Sequence, residues 1–357
     1  MRLIIVTQTF PPRIGGMEAV MEGISIGLSK QFPIKIFPNF SVSKSYIPKD
    51  LLIDIHYFPA PKFLKAYFKK LFLYFYADEK DIFLCDSWKS VNAIPKKFKD
   101  NIHILGHGQE YLNHNKRKRI VNALKRASSI IANSNYTKKL IKNFVSNKSI
   151  HVIPPTYMLP ENVSKKRNQK KIFNFFSVAR IEQRKGFLES LMALHEIKSE
   201  NSELNFHWHI AGDGPQINLL KKFVKDNHMT PFITFYGYVD NKMKDNLFSQ
   251  SDLFLMPSYH IERSVEGFGI VYAEAARYGL ASLAGADGGA SDVVKDKISG
   301  WCVDVKKQGE LKKILLFALK NKALLLKMGN EAQKIYSNNF AGKVALEKLS
   351  KVLKKIN

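Results

Sequence analysis

Short apolar runs alternate along the chain with longer stretches whose apolar positions recur at helical spacing. The runs fall at residues 3–6, 34–37, 53–57, 82–85, 102–105, 130–132 and 151–153. Strand-length runs separated by helix-length patterns predict α/β units with parallel sheets. The pattern stops after Pro154-Pro155, and the polar, Lys-rich residues 162–171 read as a linker. A second series follows at 172–178, 206–211, 233–236, 253–256, 281–284 and 301–303, with helical patterns at 186–197 and 216–227 between its runs and at 308–327 and 343–356 after them; one at 17–30 lies in the first series. The expectation is an α/β chain of two Rossmann-like domains in tandem, residues 1–160 and 170–335. In open α/β sheets ligands sit beyond the carboxyl ends of the strands, so two such domains facing each other make an interdomain cleft.

Composition adds a charge. Lys and Arg number 56 against 31 Asp and Glu, a formal net charge of +25 in 357 residues. A surplus of that size favours anionic partners: nucleic acid, acidic lipid or phosphorylated small molecules. A Lys-rich proteome accounts for it equally well. Zinc-finger spacing, an RRM aromatic motif and a detached basic tail are all missing, which counts against nucleic acid. The two cysteines, Cys85 and Cys302, lie far apart and indicate neither a zinc framework nor a disulfide scaffold, as in a reducing compartment. The opening apolar run is too short for a signal peptide, and no stretch reaches the ~18 apolar residues of a membrane span. A cytoplasmic protein, soluble or peripheral at the inner face of the cell membrane, is expected. Residues 62–75 mix charge and aromatics in helical register: Lys62, Lys65 and Lys69 share one stripe, and Leu64, Phe68, Leu71 and Phe75 another. Such a helix can dock on an anionic membrane surface; equally, its apolar stripe can be core and its lysines solvated.

Three segments carry chemistry. In Glu266-Gly267-Phe268-Gly269-Ile270-Val271-Tyr272-Ala273-Glu274 two carboxylates flank a glycine-rich helix start. The N–H groups of Phe268, Gly269, Ile270 and Val271 can meet a phosphate, helped by the helix dipole, and Glu274 can accept from vicinal hydroxyls. Two solvated glutamates on an amphipathic helix fit the segment as well when it is read alone. Arg180 and Lys185, at a strand-to-helix loop, can clamp a pyrophosphate, the first as a fork of donors and the second as a compact charge; a solvated basic loop is the bland alternative. At Gly237-Tyr238-Val239 a flat base can lie against the backbone, although a plain turn fits too.

These segments, in this order, resemble the retaining GT-B glycosyltransferases of glycosyltransferase family 4. The likeness runs from Arg180 and Lys185 through Gly212-Asp213-Gly214-Pro215 and Gly237-Tyr238-Val239 to Pro257-Ser258, Glu266 to Glu274, Gly288-Gly289 and Gly300. It is patchier earlier: Phe10-Pro11-Pro12-Arg13-Ile14-Gly15-Gly16-Met17-Glu18 is similar to the family's glycine loop, Gly106-His107-Gly108 to its cleft histidine, and Ser134-Asn135-Tyr136-Thr137-Lys138 and Ile153-Pro154-Pro155 also match. Residues 38–100 show no likeness, and Asp292 stands where the family commonly has Glu. The resemblance implies that Arg180 and Lys185 hold the donor diphosphate, that Glu274 binds the ribose, and that Glu266 with the Phe268-Gly269 backbone contacts the sugar. Gly15 and Gly16 shape the floor, and His107 orients sugar or acceptor. It also implies that the helix 340–357 crosses back onto the first domain.

The implied reaction moves a hexose from a UDP- or GDP-sugar to a saccharide or lipid-linked acceptor in polysaccharide, lipopolysaccharide or glycolipid assembly. Charge grows on the leaving diphosphate, where fixed cations and N–H groups stabilise it. The sequence has no Asp-x-Asp, so no cofactor or metal ion is expected. A GT-B epimerase or phosphorylase shares the fold; a dehydrogenase would need a Gly-x-Gly-x-x-Gly after residues 3–6. His207 and His209, alternating on a strand, read as packed or hydrogen-bonded. Gly23-Ile24-Ser25-Ile26-Gly27 matches a hydrolase elbow in a helical pattern where no elbow belongs.

Overall fold

The computed structural model describes residues 1–13, 15–42, 50–61, 63–160, 163 and 172–355. Most of the expected linker, with Ile14 and Lys62, lies outside them. The chain divides into two compact units, Met1–Pro160 with Ala341–Asn357, and Glu161–Phe340.

The first unit is built on seven parallel strands: β1 (Leu3–Val6), β2 (Ile34–Phe37), β3 (Ile53–Ile55), β4 (Ile82–Cys85), β5 (Ile102–Gly106), β6 (Ser129–Ala132) and β7 (Ser149–Val152). Their order is β3-β2-β1-β4-β5-β6-β7. Strands β1, β4 and β5 are buried along their whole length, as β-branched and aromatic runs covered on both faces must be. The connecting helices are α1 (Gly16–Leu28), α2 (Lys65–Tyr76), α3 (Arg117–Lys125) and α4 (Asn135–Lys142). Ser134 caps α4 by accepting from Thr137 N.

The second unit carries β8 (Phe173–Val178), β9 (Phe206–Ala211), β10 (Ile233–Gly237), β11 (Leu253–Met256), β12 (Ser282–Gly285) and β13 (Gly300–Val303), ordered β10-β9-β8-β11-β12-β13 and parallel. Its helices are α5 (Phe187–Glu200), α6 (Ile217–Asp226), α7 (Asn241–Gln250), α8 (Ile270–Arg277), α9 (Ala290–Val293), α10 (Glu310–Lys320) and α11 (Lys322–Asn339). Trp208 and Phe175 anchor the core, and Trp208 Nε1 donates to Ser177 Oγ at 2.8 Å, so burial leaves the indole N–H satisfied. The helical stretch expected as one piece at 308–327 is two helices. Asn321 breaks it at φ −128°, ψ 53°, its amide donating to Phe317 O at 2.8 Å. The last helix, α12 (Gly342–Lys354), belongs to the first unit and packs on α1, with Leu346 against Gly27.

Of the lysine stripe expected to meet a membrane, Lys65 and Lys69 face the other way. Lys69 is buried and donates to Thr7 O (3.1 Å), Phe37 O (2.6 Å) and Asn39 Oδ1 (2.8 Å); Lys65 donates to Asn39 O. The lysines thus donate to backbone oxygens at the end of β2 and just past β1 and β2. Phe63, Tyr67, Phe68, Leu71, Tyr74 and Phe75 are exposed instead, Phe63 at 81% and Phe75 at 80%. Among the described residues no helix is long and apolar enough to cross a membrane.

Candidate functional site

In the second unit, β8 ends in a loop that carries Arg180 and then a tight turn, Gln183–Lys185, ahead of α5. The turn brings two consecutive cations onto one carboxylate. Lys185 Nζ and Arg184 Nη1 (3.1 Å) both reach Glu266 Oε2. Arg184 Nε also lies 3.4 Å from Glu182 Oε2, and Arg180 Nε lies 3.2 Å from Glu182 Oε1. Five groups thus alternate in sign: Arg180, Glu182, Arg184, Glu266, Lys185. Arg180 is the exposed end, 73% accessible, whereas Lys185 and Glu266 are nearly covered. Burial pushes the Glu266 carboxyl upward, but Lys185 and Arg184 outweigh it, and its pKa ends below the ordinary value.

Helix α8 opens beside this chain. Gly269 caps it at φ 81°, where a Cβ would meet the Tyr272 ring at 2.4 Å, so both conformation and space demand glycine. The first turn has no side-chain cap, which leaves N–H groups of Ile270 and Val271 for an anion. Glu274, in the second turn, pairs with Lys244 Nζ of α7 at 2.7 Å. At the neighbouring strand ends, Gly212 N donates to Gly237 O at 2.6 Å; Gly212 (φ 120°) would place a Cβ 2.0 Å from Ala179 O. Tyr238 follows, 73% exposed, and Val239 is half-buried.

The first unit gathers its polar groups at the carboxyl ends of adjacent strands. His107, just past β5, donates from Nε2 to Asp86 O at 2.8 Å. A carbonyl only accepts, so Nε2 carries the proton and Nδ1 is left over. The His107 N–H donates to Glu110 Oε1 (2.7 Å), and Asn133 Nδ2 donates to His107 O (3.0 Å). His107 and Asn133 line a small cavity with Val20, Leu105 and Tyr157. Gly15 and Gly16, both exposed, open α1; the Glu18 carboxylate accepts from Thr9 Oγ1 and fills the place a Gly15 Cβ would take.

A family model, glycosyl transferases group 1, matches residues 160–335. The chain belongs to this family. The group 1 chain is 28% identical over 200 residues, 54% of its length and 52% of the other's, to a Klebsiella pneumoniae protein described as an "uncharacterized 41.2 kDa protein in cps region". It is 34% identical over 97 residues, 27% of this chain and 25% of the other, to the GDP-mannose-dependent alpha-(1-6)-phosphatidylinositol monomannoside mannosyltransferase of Mycobacterium tuberculosis. It spans about half the length of the first of these relatives and a quarter of the second. The crystal structure of Anabaena Alr3699/HepE in complex with UDP aligns over 99% of both chains with a TM-score of 0.79 and 16% identity. The fold is therefore GT-B.

In this group 1 member, Lys185 and Glu266 meet directly, Arg180 joins them through Glu182, and Glu274 stands on its own partner. Sequence reasoning passed over Arg184, Lys244 and Asp86, and quoted Glu18 in the glycine loop without giving it a role. The adjacent basic pair Arg184-Lys185 was the available signal for the first. His207 Nε2 meets Thr234 Oγ1 (2.8 Å), His209 Nδ1 meets Tyr236 OH (2.9 Å), and Ser25 lies inside α1, donating to Met21 O (2.8 Å). Among the described residues no group of three or more His, Cys, Asp or Glu is placed to hold a metal ion.

Proposed function

We propose that the protein is a retaining hexosyltransferase that moves a sugar from a UDP- or GDP-sugar to a saccharide or lipid-linked acceptor in surface polysaccharide or glycolipid assembly, with no metal ion. The observation that carries this is the alternating chain from Arg180 to Lys185 beside the uncapped start of α8. Its three cations outnumber its two carboxylates, which leaves positive charge for a diphosphate. As the anomeric bond breaks, Arg180, Arg184 and Lys185 stabilise the charge growing on the leaving phosphate. Glu266, held ionised by its partners, accepts from sugar hydroxyls together with the Phe268-Gly269 backbone. Glu274 accepts from the ribose, and the base lies along Gly237-Tyr238-Val239. His107 presents its remaining ring nitrogen on the acceptor side, above the floor formed by Gly15 and Gly16.

Two relatives support the donor class: Anabaena HepE is seen with UDP, and the mycobacterial relative is named for GDP-mannose. The acceptor works at a membrane surface, with the exposed aromatics of α2 as the docking face. A panel of UDP-, GDP- and ADP-sugars, followed by calorimetry and slow donor hydrolysis, tests the reading. One base is expected to bind with release of the nucleoside diphosphate. Binding of none, or conversion of the donor to its epimer, defeats it.

A further inference from the structure

Lys69 has no ion-pair partner among the described residues, although it is buried. Its ammonium instead meets three neutral oxygens, Thr7 O, Phe37 O and Asn39 Oδ1. A buried cation satisfied only by neutral acceptors is costly to keep, so its position asks for a reason. It lies at the carboxyl edge of the sheet. Phe37 ends β2, Thr7 follows β1, Asp86 follows β4 and His107 follows β5, and these are four adjacent strands. From the Thr7 peptide the contacts continue in the same order. Gln8 N, in the peptide whose carbonyl Lys69 holds, donates to Asp86 Oδ2 at 2.7 Å; Thr7 Oγ1, which also meets Thr9 O, lies 3.0 Å from the same oxygen, and Ser90 Oγ holds Asp86 Oδ1 at 2.5 Å. The Asp86 carbonyl then receives His107 Nε2.

We propose that Lys69 is a positioning residue for transfer: from the inner face of α2 it fixes the ends of β1 and β2 and, through Thr7 and Asp86, the imidazole of His107. The inference rests on the role given to His107 above. It also ties the helix bearing the outward aromatics to the reacting edge. Burial lowers the Lys69 pKa to about 7, with Asp86 and Cys85 opposing the shift and Lys65 adding to it; these are the charged and titratable groups that face it.

The test is Lys69→Met, which keeps the volume and removes the charge. Replacing a buried charge by an apolar side chain is often neutral or stabilising. The variant should therefore melt at or above the wild-type temperature at pH 6. Its kcat should nonetheless fall about tenfold or more, with donor KM within about twofold. A role in stability alone predicts the reverse, that activity follows melting temperature. The pH profile separates them again. Folded Lys69 loses its proton near 7 and unfolded Lys69 near 10.5, so wild-type stability rises with pH between those values. Over the same window transfer should fall, because a neutral amine has two donors for three acceptors. Both trends should vanish in Lys69→Met. A kcat within about twofold of wild type overturns the proposal. If Lys69→Met does not melt cooperatively, Asp86→Asn decides, since it weakens the bonds from Thr7, Gln8 and Ser90 and leaves both the ammonium and the backbone carbonyl that holds His107: a kcat loss of about fivefold supports the proposal, and less than twofold overturns it. His107→Ala keeps the two readings apart. Undiminished transfer there defeats the role of His107 itself; lost transfer there with intact Lys69→Met defeats only the positioning role.

Discussion

The two units share an architecture and differ in how charge is held at the carboxyl edge of the sheet. In the second, cations meet carboxylates: Lys185 and Arg184 on Glu266, Arg180 on Glu182, Lys244 on Glu274. In the first, charged groups meet neutral partners: Lys69 holds carbonyl and amide oxygens, and Asp86 is held by hydroxyls and the Gln8 N–H. A row of paired charges can be re-paired by an incoming anion at reduced cost where, as at Lys185, Arg184 and Glu266, the partners are already largely desolvated. Neutral hydrogen bonds instead fix geometry and offer shape. On the function proposed above, the paired charges of the second unit suit a donor diphosphate, and the fixed geometry of the first unit suits an acceptor.

The sharpest way to break this contrast is to remove a cation. Lys185→Met should lower kcat/KM by about 10²–10³, the usual loss for a donor aimed at developing charge. Arg180→Ala should come close behind, despite its exposure, because its free end can swing to a phosphate. Steady-state kinetics with the donor chosen from the panel measures both, and unchanged values for the two would remove the site.

The contrast also explains what could be read from residues alone. The thirteen strands among the described residues overlap the apolar runs that the pattern marks; the match is cleanest at β1, β4 and β11, buried along their whole length, and β7, with Ser149 and His151 on it, begins two residues before its run. The Glu266 to Glu274 segment was legible because the carboxylates and glycines recur at a fixed spacing around a helix start. Arg184 was not, because which residues of a tight turn point inward depends on the turn. The first unit was harder throughout. Helical periodicity in α2 shows that Lys65 and Lys69 share a face, but not that this face turns inward; the placement of the Thr7 and Phe37 carbonyls beneath it decides that. Asp86 belongs to no spacing, since Thr7 and Gln8 reach it from the end of a neighbouring strand, 79 and 78 residues away in sequence.

The aromatic face of α2 gives the next effect. Taking Phe63 and Phe75 out of water contributes about 1.5 kcal/mol each at least, so Phe63→Ser with Phe75→Ser should weaken vesicle binding about 10²-fold. Co-sedimentation with vesicles of anionic phospholipid reads this, and equal pelleting of the double variant ends the docking proposal. Salt should matter less than for a lysine-led helix. Lys97, beside the face, is laid over the Tyr74 ring at 4.4 Å with its ammonium on Tyr74 O.

A smaller effect tests the second unit. Glu274→Gln replaces a charge-assisted acceptor of the ribose by a neutral one, and nucleoside diphosphate affinity should fall about tenfold. Lys244→Met, which leaves the carboxylate but frees it to turn, should cost about threefold. Calorimetry with UDP and GDP measures both; a larger loss for Lys244→Met than for Glu274→Gln would mean the ammonium, not the carboxylate, meets the nucleoside.

The smallest effects should come from residues that look chemical and are structural. His209 has Nδ1 on Tyr236 OH and Nε2 on Asn174 Oδ1 at 3.2 Å, so its ring nitrogens are already taken up by neighbouring strands. Ser25 spends its hydroxyl on the carbonyl one turn back in α1, which fixes it against the helix and away from any substrate. His209→Gln and Ser25→Ala should each leave transfer within about twofold and lower stability by about 1 kcal/mol, the net worth of a buried hydrogen bond. Thermal melts and kinetics on the same samples check this. A tenfold loss of transfer with an unshifted melt in either variant would place chemistry on a sheet face or inside α1, and the division of labour between the two strand-end edges would no longer stand.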